Sequence, residues 1–154
     1  MSFVLIAFGL GFVSGLRALT AIAVTSWAVR MGRLSLAGSW LAFLGYAATP
    51  WIFSLAALGE MVNDKLPKTP SRRVAPQFAV RILLGSVTGA AIGIAQGMFE
   101  FGLILGALGA VAGTLIGAWA RATLVKATGG RDLPIALLED ATAIGASLLL
   151  LFVF

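Results

Sequence analysis

The 154-residue sequence contains no cysteine and no histidine. Without cysteine there are no disulfides, no thiolate chemistry and no thiol for a prenyl or palmitoyl anchor. Without histidine there is no imidazole base, and the commonest ligands for zinc, copper and haem go with it. Neither a metal nor a cofactor is therefore expected. Charge is also scarce: eleven Lys and Arg and six Asp and Glu make up 11% of the chain, about half the share of an average soluble domain. So few charges cannot cover a surface in water. A soluble enzyme, a disordered chain and a nucleic-acid-binding domain are excluded, although the net charge is +5.

What is present is apolar. Residues of the set AVILMFWYC make up 60% of the chain, glycine adds 19 more, and the mean hydropathy is +1.02. The lipid bilayer is the solvent. Five apolar runs approach the roughly 20 residues needed to cross hydrocarbon: 3–29, 40–61, 78–97, 102–125 and 134–154. The first lacks a cationic leader and a cleavage site, so it is expected to be a retained span. The expected fold is all-α, a polytopic membrane bundle of five transmembrane helices forming one domain over residues 1–154.

Five spans put Lys65, Lys68, Arg72, Arg73, Arg81, Arg121, Lys126 and Arg131 on one side, against Arg30 and Arg33 on the other. The positive-inside bias then places the amino terminus in the cytoplasm and Phe154 outside the inner membrane. Starting from the same side, a re-entrant first run would carry Lys65 to Arg73 outside, so that reading is set aside. Trp27, Trp40 and Trp119 suit interfacial positions, whereas Trp51 falls mid-span.

The third run repeats glycine at Gly85, Gly89, Gly93 and Gly97, and the fourth carries Gly102, Gly106, Gly109, Gly113 and Gly117. Glycine is a poor helix former, and in lipid such density marks faces where backbones approach closely. Two readings stand: the faces pack on each other within one subunit, or one of them builds a homodimer or lines a narrow path. Two runs are interrupted at mid-depth. Gly11, Ser14 and Gly15 precede Arg17, and Thr49-Pro50 breaks the second run, freeing the carbonyl of Tyr46. Interrupted helices near the midplane point to binding sites in transporters, while for Pro50 a simple proline kink is the favoured cause.

Glu60 and Asp64 stand one helical turn apart, with Asn63 between them, and Glu139-Asp140 lies about one and a half turns into the fifth run. Arg81 and Arg121 fall at the same depth, and Arg17 can extend toward them. These ions are expected to gather, because isolated charges in hydrocarbon are expensive. They form either an interhelical salt-bridge network or a cytoplasm-facing polar cavity for an ion, a proton, a small solute or a lipid headgroup. Catalysis has the least support, since no Gly-x-Ser-x-Gly, His-Glu-x-x-His or phosphate-loop motif occurs.

Gly15-Leu16-Arg17, Glu60-x-x-x-Asp64-Lys65-x-Pro67, Pro70-Ser71-Arg72, Arg81 and Leu138-Glu139-Asp140, with the glycine-rich third and fourth runs, form a distinctive set. The set resembles the small bacterial membrane-protein family called domain of unknown function 4126, over nearly the whole chain. The resemblance implies a compact membrane domain with Arg17, Glu60, Asp64 and Glu139-Asp140 as its polar signature, and no assigned activity. Ala57-Leu58-Gly59-Glu60 also echoes Ala136-Leu137-Leu138-Glu139, but both acids fall on one side, which an inverted repeat would not allow. The expected function is a small, non-enzymatic transport or permeation protein. The alternative is an accessory subunit whose charges are structural.

Overall fold

The computed structural model describes residues 2–65 and 74–153. Lys68, Arg72, Arg73, Pro67 and the Pro70-Ser71-Arg72 motif lie outside the described residues, as does Phe154. The chain is helical, and among the described residues there is no strand. Six α-helices follow in order: α1 (Ser2–Leu16), α2 (Ala18–Arg30), α3 (Thr49–Asn63), α4 (Ala75–Ala95), α5 (Phe99–Ala127) and α6 (Asp132–Phe152). A 3-10 helix, Trp40–Gly45, precedes α3. Helices α4, α5 and α6 are each long and apolar enough to cross a membrane, while α1 and α2 are shorter apolar helices. This is the make-up of a membrane protein.

The first apolar run is not the single span its hydropathy suggests. It breaks at Arg17, whose backbone is extended (φ −136°, ψ 107°), and the chain reverses there. Contacts with α5 and α6 establish the reversal. Gly11 lies against Gly106, and Gly15 against Ala110 and Thr114, so α1 runs parallel to α5. Gly9 meets Leu150 while Arg17 meets Asp140, so α1 runs antiparallel to α6. Arg33, just beyond α2, stacks over the Phe152 ring at 5.8 Å, so α2 climbs back alongside α6. Helices α1 and α2 thus form a hairpin with Arg17 at its tip. At about 1.5 Å per residue its arms are roughly 20 Å long, too short to cross a bilayer.

The hairpin corrects the expected arrangement of the ends. The start of α1 and the end of α6 lie at the same end of the bundle, not at opposite ends. We call this the far end, and the end that holds Lys65 and the 128–131 turn the basic end. The second run is corrected as well. Pro50 sits in the first turn of α3, where its missing N–H removes no helical bond. The Tyr46 carbonyl accepts from the Thr49 amide at 3.1 Å, and the Phe43 carbonyl from the Thr49 hydroxyl at 2.8 Å. Trp51 is therefore not mid-span. It stands at the start of α3, edge-on to Trp27 with ring centroids 5.0 Å apart.

Glycine sets the distances between α1, α4 and α5. A Cβ added at Gly89 would overlap the Gly102 carbonyl, one at Gly106 the Gly85 carbonyl, and one at Gly93 would lie 2.5 Å from the Met98 oxygen. Further along α5 the partner changes. Gly109 and Gly113 are overlaid by the Phe8 and Phe12 carbonyls of α1. These glycines face other helices of the same chain. Gly117 is buried. Gly97 departs from the expected packing role: at φ +69° with open space around it, it forms the left-handed turn between α4 and α5.

Candidate functional site: the broken hairpin and its charges

Breaking a helix inside the bundle leaves carbonyls at the end of α1 and amides at the start of α2 without helical partners. Each set meets a charge of the right sign. Glu60, near the end of α3, accepts from the Ala18 amide with Oε1 and from the Leu19 amide with Oε2, both at 2.8 Å. Arg81, in the second turn of α4, donates from Nη1 to the Gly15 carbonyl at 2.9 Å and to the Leu16 carbonyl at 2.7 Å. The Thr114 hydroxyl also approaches the Gly15 carbonyl, at 3.3 Å. Anionic Glu60 faces the positive end of the α2 dipole and cationic Arg81 the negative end of α1. The two side chains complete the circuit, with Arg81 Nη2 3.4 Å from Glu60 Oε1.

The tip residue itself joins a second set of ions. Arg17 is fully buried, yet its Nη1 lies 2.8 Å from Asp64 Oδ2, its Nε 2.6 Å from Asp140 Oδ1, and its Nη2 3.7 Å from Glu139 Oε2. These are ion-pair distances, and the two shortest bring the guanidinium against the carboxylates of two different helices. Arg121 also pairs with Asp64, lies 3.4 Å from Glu139 Oε2, and grips Asp132 bidentately at 2.9 and 2.8 Å. Lys65 bridges Asp140 and the Met61 carbonyl.

Structure therefore brings together Arg17, Asp64, Arg121, Glu139 and Asp140, and next to them the Glu60–Arg81 pair. Lys65 and Asp132 extend the network among the described residues and are not among the expected site residues. Lys65 reads from the sequence only as a basic-loop residue, and no spacing signal joins either residue to Arg17. Two hydroxyls, Ser14 three residues before the tip and Thr20 three residues after it, are buried with no hydrogen-bond partner among the described residues.

Chemically, the arrangement is a closed polar centre about 9–12 Å inside the basic ends of α4 and α6. Its two half-helix ends are occupied by side chains rather than by solvent. Such ends are where membrane proteins bind charged ligands. Comparison with known proteins adds one finding. The chain matches the family described as Domain of unknown function (DUF4126) over residues 4–153, and it belongs to that family. No curated protein and no solved structure matches it.

Proposed function

We propose that this member of the family is a small membrane transport protein, with the broken α1–α2 hairpin as its solute- or ion-binding element. The observation that carries the reading is the pair of opposed helix ends at Arg17, held by Glu60 and Arg81. The Glu60 carboxylate sits where an anionic solute would bind, at an amide-rich helix start. Arg81 sits where a cation would. A charged solute, or a proton on Glu60, competes with this internal pair and loosens the tip.

The charge distribution supports an orientation. Lys65, Arg81, Arg121, Lys126 and Arg131 belong to the basic end and Arg30 and Arg33 to the far end. The positive-inside bias puts the basic end in the cytoplasm and both the start of α1 and the end of α6 outside. Lys65 then stays inside because the hairpin begins from the outer side.

The test is flux in proteoliposomes, read with an internal pH dye and with ion-sensitive dyes, for the wild type, Arg17→Ala and Glu139→Gln. Loss of flux in both variants is expected. Wild-type flux in both, with folding intact, overturns the reading. One observation favours an accessory subunit instead: the charges of the centre close on each other within the chain. That reading expects no flux from the wild type alone and co-purification with a larger complex.

A further inference from the structure

Helices α5 and α6 are joined by a turn of four residues and tied by the Arg121 ion pairs, yet α6 packs more closely on α1 and α2. The gap between them is a groove of about 210 Å³. Phe12 and Leu16 of the hairpin form its floor, and Ile116 and Leu138 stand in its walls. Arg121 and Glu139 are the charged groups on its lining. Ile116 and Leu138 are about half exposed and Leu124 is exposed too, so the groove is open at the outer surface of the bundle.

We propose that this groove holds one acyl chain of an anionic phospholipid whose headgroup rests on the basic end. Three observations commit the site to that occupant. The volume is below the roughly 300–1,000 Å³ of pockets that enclose a whole small ligand, so it suits part of a molecule whose remainder lies outside. The lining is apolar along the helix direction, the shape of a chain rather than of a headgroup. At the basic end, where the groove begins near Leu124, the last turn of α5 and the following turn carry Lys126 and Arg131. Both are exposed, and neither forms an ion pair among the described residues. Juxtamembrane cations of this kind attract anionic headgroups. Arg121 then stands between the chain and the phosphate, one contact away from Arg17. The inference is independent of the transport reading: a bound lipid could be resident whether or not solute crosses.

The experiment is native mass spectrometry of the full chain released from nanodiscs of phosphatidylcholine alone or of an equal mixture with phosphatidylglycerol. In the mixture the wild type is expected to keep one phosphatidylglycerol at least fivefold more often than phosphatidylcholine. Ala120→Phe fills the groove and is expected to abolish that adduct. Thr142→Trp fills it from an exposed α6 position, so a fold too weak to bear the first variant leaves the second to decide. Lys126→Gln with Arg131→Gln is expected to keep the adduct and remove the headgroup preference. An equal adduct count in the wild type and the filled variants, or no headgroup preference in the wild type, overturns the proposal.

Discussion

Glu60 and Arg81 stand 3.4 Å apart across the break at Arg17, each holding the end of a different helix. Side chains from α3 and α4 thereby do what an unbroken backbone would have done. The polar groups freed by the break are satisfied internally, as the absence of water in hydrocarbon requires.

Removing this carboxylate has a definite cost. Glu60→Ala leaves the Ala18 and Leu19 amides without an acceptor and removes the anion beside Arg81. The expected loss is about 3 kcal/mol, while Glu60→Gln, which keeps one carbonyl acceptor, loses about half of that. Thermal unfolding of the purified protein in a mild detergent orders the three proteins: wild type, then Gln, then Ala.

Arg17 is held by charge, so its replacement is felt by its partners. Arg17→Met leaves Asp64 with Arg121 and Asp140 with Lys65 as their remaining cations and is expected to cost about 3 kcal/mol. Combining it with Asp140→Asn should recover part of the loss. A double-mutant cycle is expected to give a coupling of about 1–3 kcal/mol; a coupling near zero would show that the Arg17–Asp140 contact at 2.6 Å carries no interaction energy.

The glycines separate by environment. Gly89→Ala puts a methyl group into the Gly102 carbonyl, so unfolding or a loss above about 2 kcal/mol is expected. Gly59→Ala meets open space on an exposed helix face and is expected to be neutral or to stabilise by about 0.5–1 kcal/mol. Size-exclusion elution and melting temperature of the two variants check the contrast.

Much of this was legible in the sequence. Scarce charge and long apolar runs fixed the solvent, and the four acids and three arginines expected at one depth do meet there. The glycine repeats marked α4 and α5 because only close backbone approach tolerates them. The turn at Arg17 was harder to read. Residues 3–29 are apolar enough to be one helix, and hydropathy carries no sign of direction, so a hairpin and a span look alike. Gly11, Ser14 and Gly15 marked the weak point without telling which way the chain leaves it. Pro50 misled for a related reason: proline kinks a helix or starts one, and only the preceding 3-10 helix distinguishes the two. Asp132 and Lys65 enter the centre through tertiary contacts alone.

The α1–α2 hairpin is the central claim, and sidedness tests it directly. The chain has no cysteine, so single cysteines can be introduced at Ser2→Cys, Val153→Cys and Thr128→Cys and labelled in intact cells with a membrane-impermeant maleimide. The hairpin requires Ser2→Cys and Val153→Cys to react from one side of the membrane, the outside in the proposed orientation, and Thr128→Cys only after lysis. Labelling of Ser2→Cys together with Thr128→Cys, and opposite to Val153→Cys, would mean that the first run crosses the membrane once and would contradict the account.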